Sequence, residues 1–413
     1  MKDVVIVGGG AIGLWSAWHL LQAGRQVTII DKGDFTDGCS YGNAGMIVPS
    51  HFIPMASPGV ISKGIQWMFK RDSPFYIRPR LDTGLVRWLW SFYRSSNTNH
   101  VADSIELLRD LHTESRELYK NLDKHHGFDF GFQQKGILML YKSISAERDE
   151  LEMADQAHRL GIEAVHLTAE ALSRVEPVVQ ISVRGAVHYP GDAHIVPHEF
   201  MRQMIQYLKR SGVEFLQNSE VVHIDDSASS GVDLQLQGGQ HIEAKNVIVA
   251  NGTWAGKLLK ASGYYLPIQD GKGYSMTLKH PVLKPTIPSI LHEARVAITP
   301  MGDDLRISGT LEISGMDDGI NPHRVNSILK AVPEYYPGIH TGNPGPVWFG
   351  YRPCTPDGLP CIGPMKKGSA VIIAAGHAMM GLSLAPVTGR IVSDILQNKQ
   401  GKPHNKLDPY RFS

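Results

Sequence analysis

The stretch "DVVIVGGGAIGLWSAWHLLQAGRQVTIIDK", close to the start of the chain, reads as strand, turn, helix, turn, strand. Val4 to Val7 are continuously apolar, as a strand buried on both faces requires. Gly8, Gly10 and Gly13 supply G-x-G-x-x-G: the first permits a tight turn, the second lets backbone approach a pyrophosphate, the third lets helix pack on sheet. A helix opening at Ala11 and Ile12 turns unpaired N–H groups and a positive dipole end toward phosphate. Gly24 stops that helix, Val27 to Ile30 form the second strand, and Asp31 and Lys32 stand at its end, where a ribose hydroxyl would lie. An acid there, in place of a basic cluster, argues against a 2′-phosphate. This is a Rossmann-type dinucleotide unit, and by itself it does not separate NAD from FAD.

Later segments decide that question. "CSYGNAGMIVPS", Cys39 to Ser50, is too glycine-dense for a helix or a central strand. Gly42 and Gly45 allow close backbone approach, Ser40 and Asn43 offer hydrogen bonds to pyrophosphate or ribityl oxygens, and Ala44, Gly45, Met46 and Ile47 lead toward a flavin edge. "GVEFLQNSEVVHID", which includes Val222, follows a predicted helix over Glu199 to Arg210. "AKNVIVANGTWAG" then gives a buried strand ending at Asn251 and Gly252, with Trp254 beyond. "SAVIIAAGHAMMGLSLAPVTGRIVSDILQN" repeats the logic: a strand over Ala370 to Ala375, a turn carrying Gly376, His377, Met379, Met380, Gly381, Leu382 and Ser383, then an amphipathic helix to about Leu396. Its N-terminus is expected to direct donors at a flavin carbonyl. Glycine turns returning repeatedly to one sheet favour a long cofactor, FAD.

Length and charge bound the rest. A chain of 413 residues predicts two structural domains, α/β in the nucleotide part and α+β overall. A net charge of +1 argues against nucleic acid as a partner. No run approaches the roughly 20 apolar residues of a membrane span, and the first apolar run, broken by Gly8 to Gly10, lacks a signal-peptide pattern. Cys39, Cys354 and Cys361 show no metal-type spacing and no C-x-x-C, so the expectation is reduced thiols, no metal and a cytoplasmic setting.

Several motifs, in order, resemble the FAD-dependent D-amino acid oxidase superfamily, especially its bacterial D-amino acid dehydrogenase branch, nearly end to end: "SYGNAGMIVPSHFIPMASPGV", "VRGAVHYPGDAHIVPHEF", "VAITPMGDDLRISGTLEISG", "GYRPCTPDGLPCIGP" and "GHAMMGLSLAPVTGRI". The resemblance implies an FAD-binding domain from residues 1–50, 143–262 and 345–413, and a substrate domain from 51–142 and 263–344 on a large antiparallel sheet. It implies that Arg352 grips a substrate carboxylate through its planar fork, with Tyr274 as a pocket residue and His377 facing the flavin. Gly350 stands where sarcosine-oxidase-like relatives attach flavin to cysteine, so FAD is expected to be non-covalent. Met380, where those relatives carry a lysine, turns the expectation from sarcosine to D-amino acids.

The reaction implied is hydride transfer from Cα of a D-amino acid, giving imine, then 2-oxo acid and ammonia. A cyclic D-imino acid such as D-proline or cis-4-hydroxy-D-proline would give a pyrroline carboxylate. The electron acceptor implied is a quinone, with an O2-using oxidase and a non-catalytic FAD-binding subunit as the other readings. Residues Ser62 to Asn97 interleave aromatic side chains (Trp67, Phe69, Trp88, Trp90, Tyr93) with cations (Lys63, Lys70, Arg71, Arg78, Arg80, Arg87, Arg94), a composition suited to peripheral membrane contact. His51, Phe52, Met55 and His292 are unranked side-chain pocket residues, and the oligomeric state stays open.

Overall fold

The computed structural model describes residues 1–62, 64, 73–227, 231–399 and 405–412. Five parallel strands form the heart of the first sheet, in the order Glu214–Leu216, Val27–Ile30, Lys2–Val7, His241–Val249 and Val371–Ala375. The long His241–Val249 strand forks the sheet. Its first half pairs with Val232–Leu236, which continues antiparallel to Val221–Asp225; its second half pairs with Val371–Ala375, and Cys361–Pro364 closes that edge. The Ala11–Gln22 helix carries Trp15, Trp18 and Leu20 into the core, where it packs against the Ala385–Leu396 helix. Apolar on nearly every side, it has no solvent face to lose. Pro386 sits in the first turn of the C-terminal helix, where its missing N–H costs nothing.

The second sheet runs Trp348–Cys354, Gln269–Leu278, Asp304–Ile313, Val296–Met301, Ser289–Leu291, Ile137–Tyr141, Gly185–Tyr189 and Val165–Thr168, with Phe75–Ile77 beside the end of Asp304–Ile313. It is antiparallel except at two junctions, Ser289–Leu291 with Ile137–Tyr141 and Phe75–Ile77 with Asp304–Ile313. A hairpin at "MGDD" joins Val296–Met301 to Asp304–Ile313, Met301 facing Asp304. The strands at Val165–Thr168, Gly185–Tyr189 and Trp348–Cys354 belong to this sheet, although the sequence reading placed their stretches with the nucleotide unit. Their alternating and apolar patterns fit either sheet, and only long-range pairing assigns them. A two-stranded ribbon, Met46–Ile47 with Ala193–His194, bridges the region between the sheets.

No described helix is long and apolar enough to cross a membrane. Of the aromatic and basic segment, Lys63, Trp67, Phe69, Lys70 and Arg71 lie outside the described residues. The rest divides by face. Trp88 is buried and donates its Nε1–H to the Cys354 carbonyl at 2.9 Å, while Val86, Trp90 and Tyr93 form an exposed stripe on the Thr83–Ser95 helix.

Candidate active site

Between the sheets lies one continuous cavity of about 1610 Å3. Pockets for drug-sized ligands measure roughly 300–1,000 Å3, so this space is large enough for a dinucleotide and a second, smaller molecule.

One end is made of backbone. Gly8 has φ +112°, a conformation that side chains resist, and a β-carbon there would meet the Ala250 carbonyl oxygen at 2.6 Å. At Gly13 a β-carbon would overlap the Gly8 carbonyl, so helix and turn meet only because the side chain is missing. Gly10 is different: a β-carbon there would find nothing nearer than Ser40 Oγ at 3.5 Å, and that open space is the cavity at the helix start. Ala11 N–H donates to Ser40 Oγ at 3.0 Å, which ties the second glycine loop to the first. Asp31 accepts from Gly9 N–H at 2.6 Å and Gly33 N–H at 2.9 Å. Lys32 Nζ lies 3.7 Å from the Trp254 ring centroid, and with Val222 these residues line the same end. Asn251, beside Gly252 on the cavity wall, has a buried Oδ1 with no partner among the described residues. Room at a helix N-terminus, an acid at the strand end and an orphaned amide oxygen fit the pyrophosphate and ribose of a dinucleotide.

The 40–47 loop is anchored by two residues that sequence reasoning missed. Arg306 donates to the carbonyls of Tyr41 at 3.3 Å and Asn43 at 3.0 Å, and Ser275 Oγ donates to the Gly42 carbonyl at 2.9 Å. Asn43 Oδ1 accepts from Gly45 N–H at 2.9 Å, closing the turn. Ala44 and Met46 border the cavity; Gly45 and the fully buried Ile47 stand behind them.

His377, Met379, Met380, Gly381 and Leu382 line the cavity, whereas Gly376 and Ser383 do not. The C-terminal helix itself does not supply the expected open donors. Val387 N–H, in its first turn, is taken by Ser115 Oγ at 3.2 Å, so the preceding turn is what faces the space. Ser383 Oγ accepts from Val48 N–H at 3.1 Å and bonds His112 Nδ1 at 2.8 Å. His377 Nε2 pairs with Thr388 Oγ1 at 2.9 Å, and that hydroxyl donates to Leu384. Burial pushes His377 down to about 3, so its ring is neutral and carries no charge toward a flavin.

The far end is made of side chains. Arg352 reaches through the space left by Gly273, whose β-carbon would overlap its guanidinium, and donates Nη1–H to the Thr310 carbonyl. Among the described residues no carboxylate pairs with it, and its accessible surface opens onto the cavity. Burial lowers its pKa. Tyr274 also borders the cavity, though its ring packs into the core. Along Gln269–Leu278, Gly273 and Ser275 face the cavity side, while Tyr274 and Met276 enter the core on the opposite face. The Tyr274 hydroxyl accepts from Asn321 N–H at 3.2 Å, at the start of the Pro322–Tyr335 helix. His51, Met55 and His292 line this end, whereas Phe52 is buried outside it. Of the three cysteines, only Cys39 borders the cavity, and burial raises its thiol pKa.

The family model described as FAD dependent oxidoreductase (DAO) matches residues 3–395. A D-amino acid dehydrogenase of Helicobacter pylori (strain J99) is 30% identical over 415 residues, covering 100% of this chain and 98% of the relative. One from Vibrio vulnificus (strain CMCP6) is 28% identical over 429 residues, covering 100% of both. Among solved structures, glycine oxidase from Geobacillus kaustophilus superposes with TM-score 0.78 at 23% identity, covering 98% of this chain and 97% of that one. L-proline dehydrogenase from P. horikoshii gives 0.72 at 20% identity, covering 100% and 97%. With a glycine cradle shaped for a dinucleotide and a family match spanning almost its whole length, the chain belongs to the DAO family of FAD-dependent oxidoreductases.

Proposed function

We propose that the protein is a dehydrogenase of D-amino acids that holds FAD non-covalently and passes electrons to an acceptor other than O2. One observation carries the substrate class: Arg352, a partly buried cation with no acidic partner among the described residues, opens onto the cavity beyond the dinucleotide end. A cation partly withdrawn from water without an acidic partner is costly until an anion meets it, and its planar fork matches a carboxylate. Residues Gly8 to Ile12, Asp31, Ser40, Asn43, Asn251 and the His377–Leu382 turn would hold FAD, and bound FAD supplies a hydride acceptor for Cα. The chain's own share is positioning: Arg352 fixes the carboxylate and Gly273 gives it room. The D-amino acid dehydrogenases among its relatives support the amino acid class and its stereochemistry.

The exposed stripe of Val86, Trp90 and Tyr93, flanked by Arg87 and Arg94, supports an acceptor met at a membrane surface, such as a quinone. The test is anaerobic mixing of purified holoenzyme with a D-amino acid panel and its L-enantiomers. D-specific bleaching of flavin absorbance, followed by reoxidation that is faster with a soluble quinone than with O2, is expected. In Arg352→Ala the substrate KM should rise at least about 30-fold, the lower bound for truncating one member of a buried charge pair, with flavin content unchanged. Lost flavin with unchanged kinetics in the remaining holoenzyme would make Arg352 a scaffold residue.

A further inference from the structure

Two histidines on the cavity wall are not needed to hold FAD or the substrate carboxylate. His51 Nδ1 lies 3.1 Å from Ser50 Oγ, and Ser50 donates its hydroxyl to Asp192 Oδ2 at 2.5 Å and its N–H to Asp192 Oδ1 at 3.0 Å. With Asp192 ionised, the hydroxyl proton points at the carboxylate, so Ser50 Oγ can only accept from His51. That places the ring proton on Nδ1 and leaves Nε2 as a lone-pair acceptor. His292 repeats the arrangement: its Nδ1 lies 2.5 Å from Glu150 Oε1, and a carboxylate can only accept, so in the neutral ring its Nε2 is again an acceptor. Neither Nε2 has a partner among the described residues. Both residues line the cavity.

The second sheet supplies this wall. Ile290, Ala297, Ser308 and Ser275 stand opposite one another across four strands, and all four border the cavity. Just past the end of those pairings, His292 and Arg295 belong to the turn that joins Ser289–Leu291 to Val296–Met301, while Thr310 and Gly273 flank Arg352 where the register of their two strands shifts. All of these border the same cavity as Arg352.

We propose that His51 Nε2 and His292 Nε2 form a side-chain subsite that selects substrates bearing a hydrogen-bond donor, a hydroxyl being the smallest. This inference rests on the carboxylate reading of Arg352. A site built of fixed acceptors discriminates because an apolar side chain leaves them buried and unpaired.

The experiment uses purified holoenzyme at pH 8.5 and compares kcat/KM for flavin bleaching within matched pairs: D-serine with D-alanine, and cis-4-hydroxy-D-proline with D-proline. At least a tenfold preference for one hydroxylated partner is expected. His51→Asn and His292→Asn each keep a side-chain N–H near the Nδ1 position and remove the Nε2 acceptor, so either should bring the ratio within about threefold. D-lysine against D-norleucine is the cationic arm, and a preference there that both variants erase assigns the same acceptors to an ammonium group. A second readout needs no turnover: cis-3-hydroxycyclopentanecarboxylate should perturb the flavin spectrum at lower concentration than cyclopentanecarboxylate. Bleaching by D-amino acids with no hydroxyl or cationic preference, or a preference that survives both variants, overturns the subsite while leaving the proposed function standing. No bleaching by any D-amino acid overturns the proposed function, and the carboxylate pair then tests the subsite alone.

Discussion

At the Gly8–Gly13 end the cavity wall is backbone, contributed by residues a few positions apart on one strand–turn–helix unit. At the Arg352 end it is side chains delivered by strands that are distant in sequence and become neighbours only through the second sheet. The first end tolerates no added atom at Gly13; the second depends on which side chain fills a space that Gly273 leaves open. A cofactor common to a whole family is held by the part with fewest chemical options. The substrate meets the part where one substitution changes the chemistry and leaves the scaffold alone.

The sharpest break is expected at the backbone end. Gly13→Val would force Cβ into the Gly8 carbonyl, and the helix could no longer close on the turn. Purified protein should retain less than a tenth of the wild-type flavin, read from the ratio of flavin to protein absorbance. Full flavin retention would show that helix–turn packing does not shape the cradle. At the other end, Gly273→Ala pushes a methyl group into the Arg352 guanidinium. Flavin content should hold while the substrate KM rises at least about tenfold, since a bidentate contact fails when the fork is displaced. Equal loss of flavin and substrate affinity would erase the distinction between the two ends.

The same contrast explains what the sequence made legible. Both flanking strands of the glycine motif, its helix and the terminal acid lie within one local unit, where apolar runs and glycine spacing report directly on structure. Arg352 was legible only through a motif, because its partner space at Gly273 comes from another strand. Tyr274, beside that glycine, does border the cavity, but adjacent strand residues point to opposite faces, so most of its ring goes to the core. Arg306 left a signal: a cation inside "DLRISGTLEI", a strand buried on both faces, needs carbonyl partners, here Tyr41 and Asn43. His112, inside the 28-residue Thr98–His125 helix, left none; its contact with Ser383 spans most of the chain.

His112 also gives a finer test of how dry the cavity wall is. Burial pushes it down to about 3, with the nearby rings of His51 and His377 adding to the effect, against 6.5 for a free ring. The unfolded chain therefore takes a proton that the folded one refuses. Stability from this group is complete above pH 6.5 and falls by about 1.4 kcal/mol per pH unit on acidification. His51, pushed down to about 4, and His377 act in the same direction. Asp192 acts in the opposite one: burial raises it to about 7, so the folded state binds its proton more tightly and its contribution weakens as pH rises from 3.8. His112→Asn keeps an oxygen able to accept from Ser383 and removes the titrating ring. Urea unfolding free energies between pH 4 and 6 should then lose about one proton of slope, with the remaining histidines keeping the sign positive. An unchanged slope would mean that the native ring already carries its proton, and that water reaches this wall of the cavity.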